Sequence, residues 1–110
     1  MPVATALKVE ALARDFRSQR RLADALGVSP AQVSRWKQGR GIDRDNAERL
    51  DLLELTMSSL LRLYEPPTAE KWLFGLNPHL RNRRPIDVIR TGGTQELLAA
   101  LRQERAGSYA

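Results

Sequence analysis

Residues 19 to 37 read Gln19-Arg-Arg-Leu-Ala-Asp-Ala-Leu-Gly27-Val-Ser-Pro-Ala-Gln-Val-Ser-Arg-Trp-Lys37, and nearly every position has a recognisable geometric role. Leu22 and Ala23 lie four and three residues before Leu26, which places all three on one apolar face of a short helix. Gly27 follows, and a glycine just past a helix end supplies the left-handed backbone conformation that ends the helix. The first half of the segment therefore predicts a helix followed by a tight turn.

The second half carries the signals of a helix N-terminus. The Ser29 hydroxyl can accept a hydrogen bond from an unpaired amide, Pro30 suits the first helical position, and Gln32 completes a capping box with Ser29. Val33 and Trp36 give the second helix an inward apolar face. The segment as a whole predicts helix, turn, helix.

The spacing of Ala23, Gly27, Val33 and Trp36 resembles the helix-turn-helix of Xre/Cro-type repressors. The resemblance implies that the second helix enters the DNA major groove. Arg35 is the side chain that we expect to read a base, because arginine can hold two guanine acceptors at once. The alternative is that the two helices merely pack as an αα-corner. The predicted DNA-binding residues are Ser29, Ala31, Gln32, Ser34, Arg35 and Lys37.

Composition limits the class of protein. A chain of 110 residues forms one compact unit or two small ones, and it contains no cysteine for disulfides or thiolate chemistry. It has no apolar run of about 18 residues, as a membrane span would need, and no basic-then-apolar leader. We therefore expect a cytoplasmic protein with no membrane partner.

The net charge of +5 is unevenly distributed. Residues 14–40 carry seven basic and two acidic side chains, a local excess of +5, whereas residues 43–54 carry five acids against two arginines. The basic excess thus surrounds the helix-turn-helix, as expected for a module that meets phosphates. A basic run by itself is usually a solvated surface, so this supports the motif without replacing it.

Helical periodicity continues on both sides of the motif. A first helix is predicted from Thr5, as its cap, to about Phe16, with Leu7 on its apolar face. A long helix is predicted over residues 43–64, and its two apolar strips imply two neighbours, one of which could be a second subunit. Glu65-Pro66-Pro67 is predicted to end this helix and to separate residues 1–64 from residues 65–110.

Beyond the prolines the pattern predicts three more short helices and no strands. Thr68 and Thr94 are the expected caps of the first and last, Pro85 opens the middle one, and Gly107 is expected to break the last. We therefore predict an all-α fold, a Xre/Cro-like helix-turn-helix followed by a small helical module.

Residues 72–92 contain a tryptophan-leucine pair, an Asn-Pro-x-Leu turn, an Arg-x-Pro-x-Asp helix start and a glycine-rich break. This combination resembles the toxin-binding domain of Xre/MbcA/ParS antitoxins, and the ending Gly107-Ser-Tyr109 is similar to the tail of that family. Asn82 departs from the family, which commonly carries glycine there, but asparagine tolerates the left-handed conformation.

The resemblance implies that the partner is a cognate RES-domain toxin, a small enzyme that consumes NAD. It also implies that the antitoxin lays its C-terminal tail into the NAD-binding cleft, with Tyr109 as the anchor, and represses its own operon as a homodimer within a toxin–antitoxin hetero-oligomer. The implied toxin-binding residues are Arg81, Arg83, Arg84, Leu101, Arg105, Gly107, Ser108, Tyr109 and Ala110. The alternative is a free-standing repressor whose C-terminal helices only dimerise it, with a frayed terminus.

Catalytic and metal chemistry have no candidate residues. His79 is the single histidine, and no cysteine or second histidine could complete a metal site with it. Asp87 lies in the first turn of a helix, where a carboxylate favours the positive end of the helix dipole. We expect no enzyme activity, no cofactor and no metal.

Overall fold

The computed structural model describes residues 3–108, with the side chains of residues 5–107, and all regular structure in that range is helical. The all-α prediction is therefore confirmed. The elements in chain order are α1 (Val3–Asp15), α2 (Gln19–Leu26), α3 (Pro30–Lys37), α4 (Arg44–Leu60), α5 (Pro66–Phe74), a 3₁₀ helix (Pro78–Leu80), α6 (Pro85–Arg90) and α7 (Thr94–Ser108). No helix within residues 3–108 is long and apolar enough to cross a membrane.

The chain divides into two compact units, Met1–Glu54 and Leu55–Ala110, and the division falls inside α4. In the first unit α3 packs against α1 and α2. Its core consists of apolar side chains that are almost fully buried: Val9, Leu12, Phe16, Leu22, Ala23, Ala25, Leu26, Val33, Trp36, Leu50, Leu52 and Leu53. The boundary after residue 64 that the sequence predicts concerns functional modules and stays a prediction.

The predicted turn and caps of the central motif are confirmed. Gly27 adopts a left-handed conformation with φ of 72° at the C-terminus of α2. Ser29 and Gln32 form the reciprocal capping box at the start of α3, with Pro30 in the first turn. Ser18 is an additional N-cap, since its side chain accepts a hydrogen bond from the Arg21 amide in α2.

The prediction for α1 was wrong in two details. The helix begins at Val3, so Thr5 lies inside it and does not cap it. Leu7 is 61% exposed, whereas Val9, Leu12 and Phe16 form the buried face. Several apolar residues in this stretch fit a helical period, and packing against α3 selects which of them face inward.

The end of α4 also differs from the prediction. Asp43 caps the helix, because its Oδ2 accepts a hydrogen bond from the Asn46 amide at 3.2 Å. The helix nevertheless ends at Leu60, four residues before Tyr64, and the carbonyl of Leu60 accepts from the amides of both Leu63 and Tyr64. A proline sets only the last position at which a preceding helix can stop.

Pro66 instead starts the next helix. Pro66 and Pro67 occupy the first turn of α5, where the missing amide hydrogens have no intrahelical partner to lose. Thr68 therefore lies inside α5 and is not its cap; Glu65 holds that position. Likewise Thr94 is the first residue of α7.

In the second unit α6 packs against α5 and α7, and the 3₁₀ helix packs against α7. Its core is formed by Met57, Leu60, Ala69, Leu73, Leu80, Ile86, Val88, Ile89, Leu97, Ala100 and Leu101. Between α6 and α7 the chain passes close to itself, because a Cβ on Gly93 would lie 2.7 Å from Val88 Cγ1. A side chain at Gly93 would therefore force its surroundings to shift.

The turn around Asn77 has the predicted character. The Asn77 side chain accepts a hydrogen bond from the His79 amide at 2.9 Å, and Asn77 and Arg83 form an isolated antiparallel bridge. Arg81 and Asn82 are left-handed, with φ of 58° and 60°. Asparagine is among the residues that accept this conformation most readily, so Asn82 suits this turn.

The prediction that Gly107 breaks the last helix was wrong, since α7 continues through it to Ser108. A glycine in a helix costs about 1 kcal/mol relative to alanine, which lowers the stability of the last turn without preventing it. Tyr109 and Ala110 lie outside the described residues.

Candidate functional site

The outward surface of α3 presents three of the predicted DNA-binding residues directly to solvent. Ala31, Arg35 and Lys37 are exposed. Among the described residues Arg35 makes no ion pair, so its exposed guanidinium is available to a ligand. The structure therefore leaves the predicted base-reading residue open.

Ser29 and Gln32 are hydrogen-bonded to each other. The Gln32 amide donates to Ser29 Oγ at 3.2 Å, and the Ser29 amide donates to Gln32 Oε1 at 3.1 Å. These bonds satisfy two amides that the helix start would otherwise leave unpaired. Both side chains thus cap the N-terminus of α3. If either one also contacts DNA, it must do so while keeping these hydrogen bonds.

Ser34 connects the two helices of the motif. Its Oγ donates to Oε1 of Gln19, the first residue of α2, at 3.3 Å. The sequence prediction included Ser34 but missed Gln19. The sequence does place Gln19 directly after Ser18, at the start of α2. It does not show that Gln19 reaches Ser34, because that hydrogen bond forms only where α2 and α3 cross.

The electrostatic environment changes at the start of α4. Asp43 is fully exposed, and hydrogen bonds from the Asn46 side chain and amide hold its pKa below the ordinary value. A carboxylate at a helix N-terminus is stabilised by the dipole of the helix. Asp43 therefore remains ionised to acidic pH and marks the limit of the basic region around α2 and α3.

The three arginines predicted near residue 83 do not form one open basic patch. Arg84 donates two hydrogen bonds to Asp87, from Nε at 2.8 Å and from Nη2 at 3.0 Å. This guanidinium holds the pKa of Asp87 below its usual range. Arg83 pairs with Glu96, and its Nε donates to the Leu80 carbonyl at 2.8 Å. Arg81 is exposed at the left-handed end of the 3₁₀ helix.

The predicted contacts on α7 lie in different environments. Leu101 is only 8% exposed, so a partner could reach little more than its edge. Arg105 and Gly107 are exposed, and Ser108 is the last residue of the helix. The remaining predicted tail residues, Tyr109 and Ala110, are beyond the described part of the chain.

Glu104 has a role that was not predicted from the sequence. Its Oε1 accepts a hydrogen bond from Trp72 Nε1 at 2.9 Å, and its Oε2 accepts one from the Tyr64 hydroxyl. These bonds connect the last turns of α7 to α5 and to the turn after α4. Trp72 is only partly buried, and its indole nitrogen has a polar partner in Glu104.

Residues 3–108 contain no group of three or more histidine, aspartate or glutamate side chains that could hold a metal ion. His79 is exposed, and its amide contributes to the turn. Three aspartates have shifted pKa values: Asp43 is a helix cap, Asp87 is paired with Arg84, and Asp15 lies partly buried at the end of α1.

Residues 17–51, which contain the central motif, match the helix-turn-helix family HTH_3. The mycobacterial cidal antitoxin MbcA of Mycobacterium tuberculosis is 32% identical over 81 residues, which cover 73% of this chain and 72% of the relative. The MbcA of Mycobacterium bovis matches to the same extent. This chain belongs to the MbcA antitoxin family.

The membership extends beyond the helix-turn-helix, because 81 matched residues cannot fit within the 54 residues of the first unit. A solved structure agrees with it. The crystal structure of the M. tuberculosis MbcT–MbcA toxin–antitoxin complex contains a chain that matches this one with a TM-score of 0.75 and 27% identity, over 93% of this chain and 94% of that one. The resemblance to Xre/MbcA/ParS antitoxins is therefore confirmed, and the all-helical architecture is that of an MbcA-family antitoxin.

Proposed function

We propose that this protein is the antitoxin of a toxin–antitoxin pair and that it neutralises a cognate RES-domain toxin, an enzyme that degrades NAD. The observation that carries the proposal is the relation to MbcA, which spans 73% of the chain and continues past the helix-turn-helix. The family member in the solved complex is bound to a toxin, MbcT. As a binding protein it would act in the cytoplasm and need no cofactor or catalytic residue.

The inhibitory element in this proposal is the tail, residues 107–110. Two observations support it: Glu104 accepts two hydrogen bonds that hold the last turns of α7, and the helix extends to Ser108. A tail that starts from a fixed helix loses less conformational entropy on entering a cleft than a flexible one. Tyr109 and its small neighbours suit a narrow cleft that accepts an aromatic base.

Regulation of the operon is the second part of the proposal. The exposed Arg35 on α3 would read a base in the major groove, and the surrounding basic residues would bind phosphates. Ala31 offers only an apolar contact, so one α3 supplies little specificity. We therefore propose that a homodimer, or the toxin-bound hetero-oligomer, combines several weak contacts on the operator.

Co-expression tests the antitoxin function. The gene next to this one should encode a protein that stops growth when expressed alone and is tolerated when this chain is co-expressed. The chain lacking residues 107–110 should keep its helical circular dichroism but no longer rescue growth. Full rescue by the truncated chain would refute inhibition by the tail, and the absence of any co-encoded toxic protein would refute the antitoxin function itself.

The alternative function is a free-standing transcriptional repressor, which the match of residues 17–51 to HTH_3 also allows. In that case the second unit would only mediate dimerisation. Operator binding with no toxic neighbour would favour this alternative.

A further inference from the structure

We propose that the second unit carries a separate cleft that binds a carboxylate side chain of the toxin. The cleft is lined by Ser59 at the end of α4, by Arg62 and Leu63 in the turn that follows, and by Arg105 on α7, and its volume is about 140 Å³. The inference rests on the proposed antitoxin function and adds a contact surface that the tail does not include.

The charges on this unit favour the cleft over the region around Arg83. Arg83 is paired with Glu96, and Arg84 and Arg90 both contact Asp87. By contrast Arg62 and Arg105 are exposed and make no ion pair with any residue in the 3–108 range. A partner that binds these two guanidiniums does not have to break an internal ion pair first.

The shape and chemistry of the cleft suit a carboxylate. Two guanidiniums offer planar pairs of donors that match carboxylate oxygens, the Ser59 hydroxyl adds a further donor, and Leu63 gives an apolar wall for a methylene group. The cleft volume of about 140 Å³ is several times the roughly 30 Å³ share of a single water molecule, so the cleft has room for a carboxylate group.

The position of Arg105 connects the cleft with the same partner as the tail. Glu104, its neighbour in sequence, is held by Trp72 Nε1 at 2.9 Å and by the Tyr64 hydroxyl, which fixes this part of α7 beside the turn that carries Arg62. Arg105 also lies two residues before Gly107, where the proposed inhibitory tail begins. The occupant is therefore an acidic side chain of the toxin next to its active-site cleft.

Charge reversal tests this surface in the full-length chain. We expect Arg62→Glu and Arg105→Glu each to weaken binding to the co-encoded toxin by about ten-fold in calorimetric titration at low salt, with a smaller effect at high salt. Arg102→Glu is the matched control, because Arg102 is exposed on the same helix but does not line the cleft. It should change the affinity by less than about three-fold, as expected for a general charge effect.

Several results would overturn the proposal. These are unchanged affinity in both cleft variants, an equal loss in Arg102→Glu, or a loss of operator binding in place of toxin binding. If a cleft variant unfolds, the neutral Arg62→Gln and Arg105→Gln take its place with the same expectation. If the wild-type chain binds no toxin, both this inference and the proposed function are wrong; if it binds and the variants bind equally well, only the cleft is wrong.

Discussion

Arg35 differs from Ser29, Gln32 and Ser34 in making no side-chain hydrogen bond or ion pair within residues 3–108. Ser29 and Gln32 cap the helix, and Ser34 bonds to Gln19. A side chain without an internal partner can be replaced without loss of stability, so its effect on DNA binding can be measured separately.

We predict that Arg35→Ala weakens operator binding by about ten-fold or more, because a bidentate arginine–guanine contact contributes about 1–3 kcal/mol of discrimination. Binding to random duplex should fall much less. Fluorescence anisotropy with both duplexes measures the two losses, and Arg35→Lys is the control that keeps the charge. Equal losses on both duplexes would mean that Arg35 contacts only phosphate.

Glu104 is important for stability because it accepts hydrogen bonds from two partly buried donors, Trp72 and Tyr64. We predict that Glu104→Ala lowers the free energy of unfolding by roughly 1–3 kcal/mol, since both donors lose their acceptor. Glu96→Ala is the matched control on the same helix, and its exposed pair with Arg83 should contribute at most about 1 kcal/mol. Urea denaturation compares the two, and equal losses would contradict this role of Glu104.

The lowered pKa of Asp87 predicts the direction in which stability changes with pH. The Arg84 guanidinium lowers its pKa in the folded state below the ordinary value of 3.8. Its contribution is therefore fully present above that value and is lost as the pH falls through the lower folded pKa. We predict that Asp87→Asn is less stable than wild type near pH 7 and that the difference shrinks below about pH 4.

Asp15 is the control with the opposite sign. Burial is the largest cause that raises its pKa, so the charged form destabilises the fold at neutral pH. Asp15→Asn should therefore be at least as stable as wild type at pH 7, with the gain decreasing as the pH falls through the raised pKa. If urea titrations at pH 7 showed that both variants differ from wild type in stability in the same direction, local charge would not explain either variant.

At the level of the helices, α3 depends on its capping box more than on its length. It has eight residues and is held by Ser29, Gln32 and the buried Val33 and Trp36. An isolated helix of this size is unstable in water, so the cap and the packing must supply its stability.

We predict that Ser29→Ala lowers the free energy of unfolding by about 1 kcal/mol, because the Gln32 amide loses its acceptor. Ser29→Asp keeps an acceptor at the same position and should retain most of the stability. Thermal unfolding followed by circular dichroism distinguishes them; equal melting temperatures for alanine and serine would show that the cap contributes nothing.

Helix ends were the least predictable feature of the elements. Gly27 and Pro85 were read correctly because a left-handed turn and a first-turn proline are local requirements. The end of α4 at Leu60 was missed, since the four residues after it could all continue a helix by their residue types.

For the whole molecule, the two proposed activities should be separable, because the proposed operator contacts lie in the first unit and the proposed toxin contacts lie in the second. Arg35→Ala should lose operator binding while still inhibiting the toxin, and the chain lacking residues 107–110 should do the reverse. Gel-shift and NAD-consumption assays on the same two preparations test this. A loss of both activities in either variant would mean that the units act only together.

The features readable from the sequence are those that depend on neighbours in the chain. The helix-turn-helix, its caps, the all-α class and the antitoxin resemblance follow from spacings of a few residues, since helix period and turn chemistry act over that range.

Only the tertiary structure determined which polar side chains have hydrogen-bond or ion-pair partners within the protein. Glu104 bonds to residues 40 and 32 positions away, and Arg83 pairs with a glutamate 13 positions away. Nothing in local sequence specifies such partners, because they meet only when the helices pack. As a result, the arginines predicted from the sequence to bind a partner are partly neutralised, and Arg62, which the sequence did not single out, lies open beside Arg105.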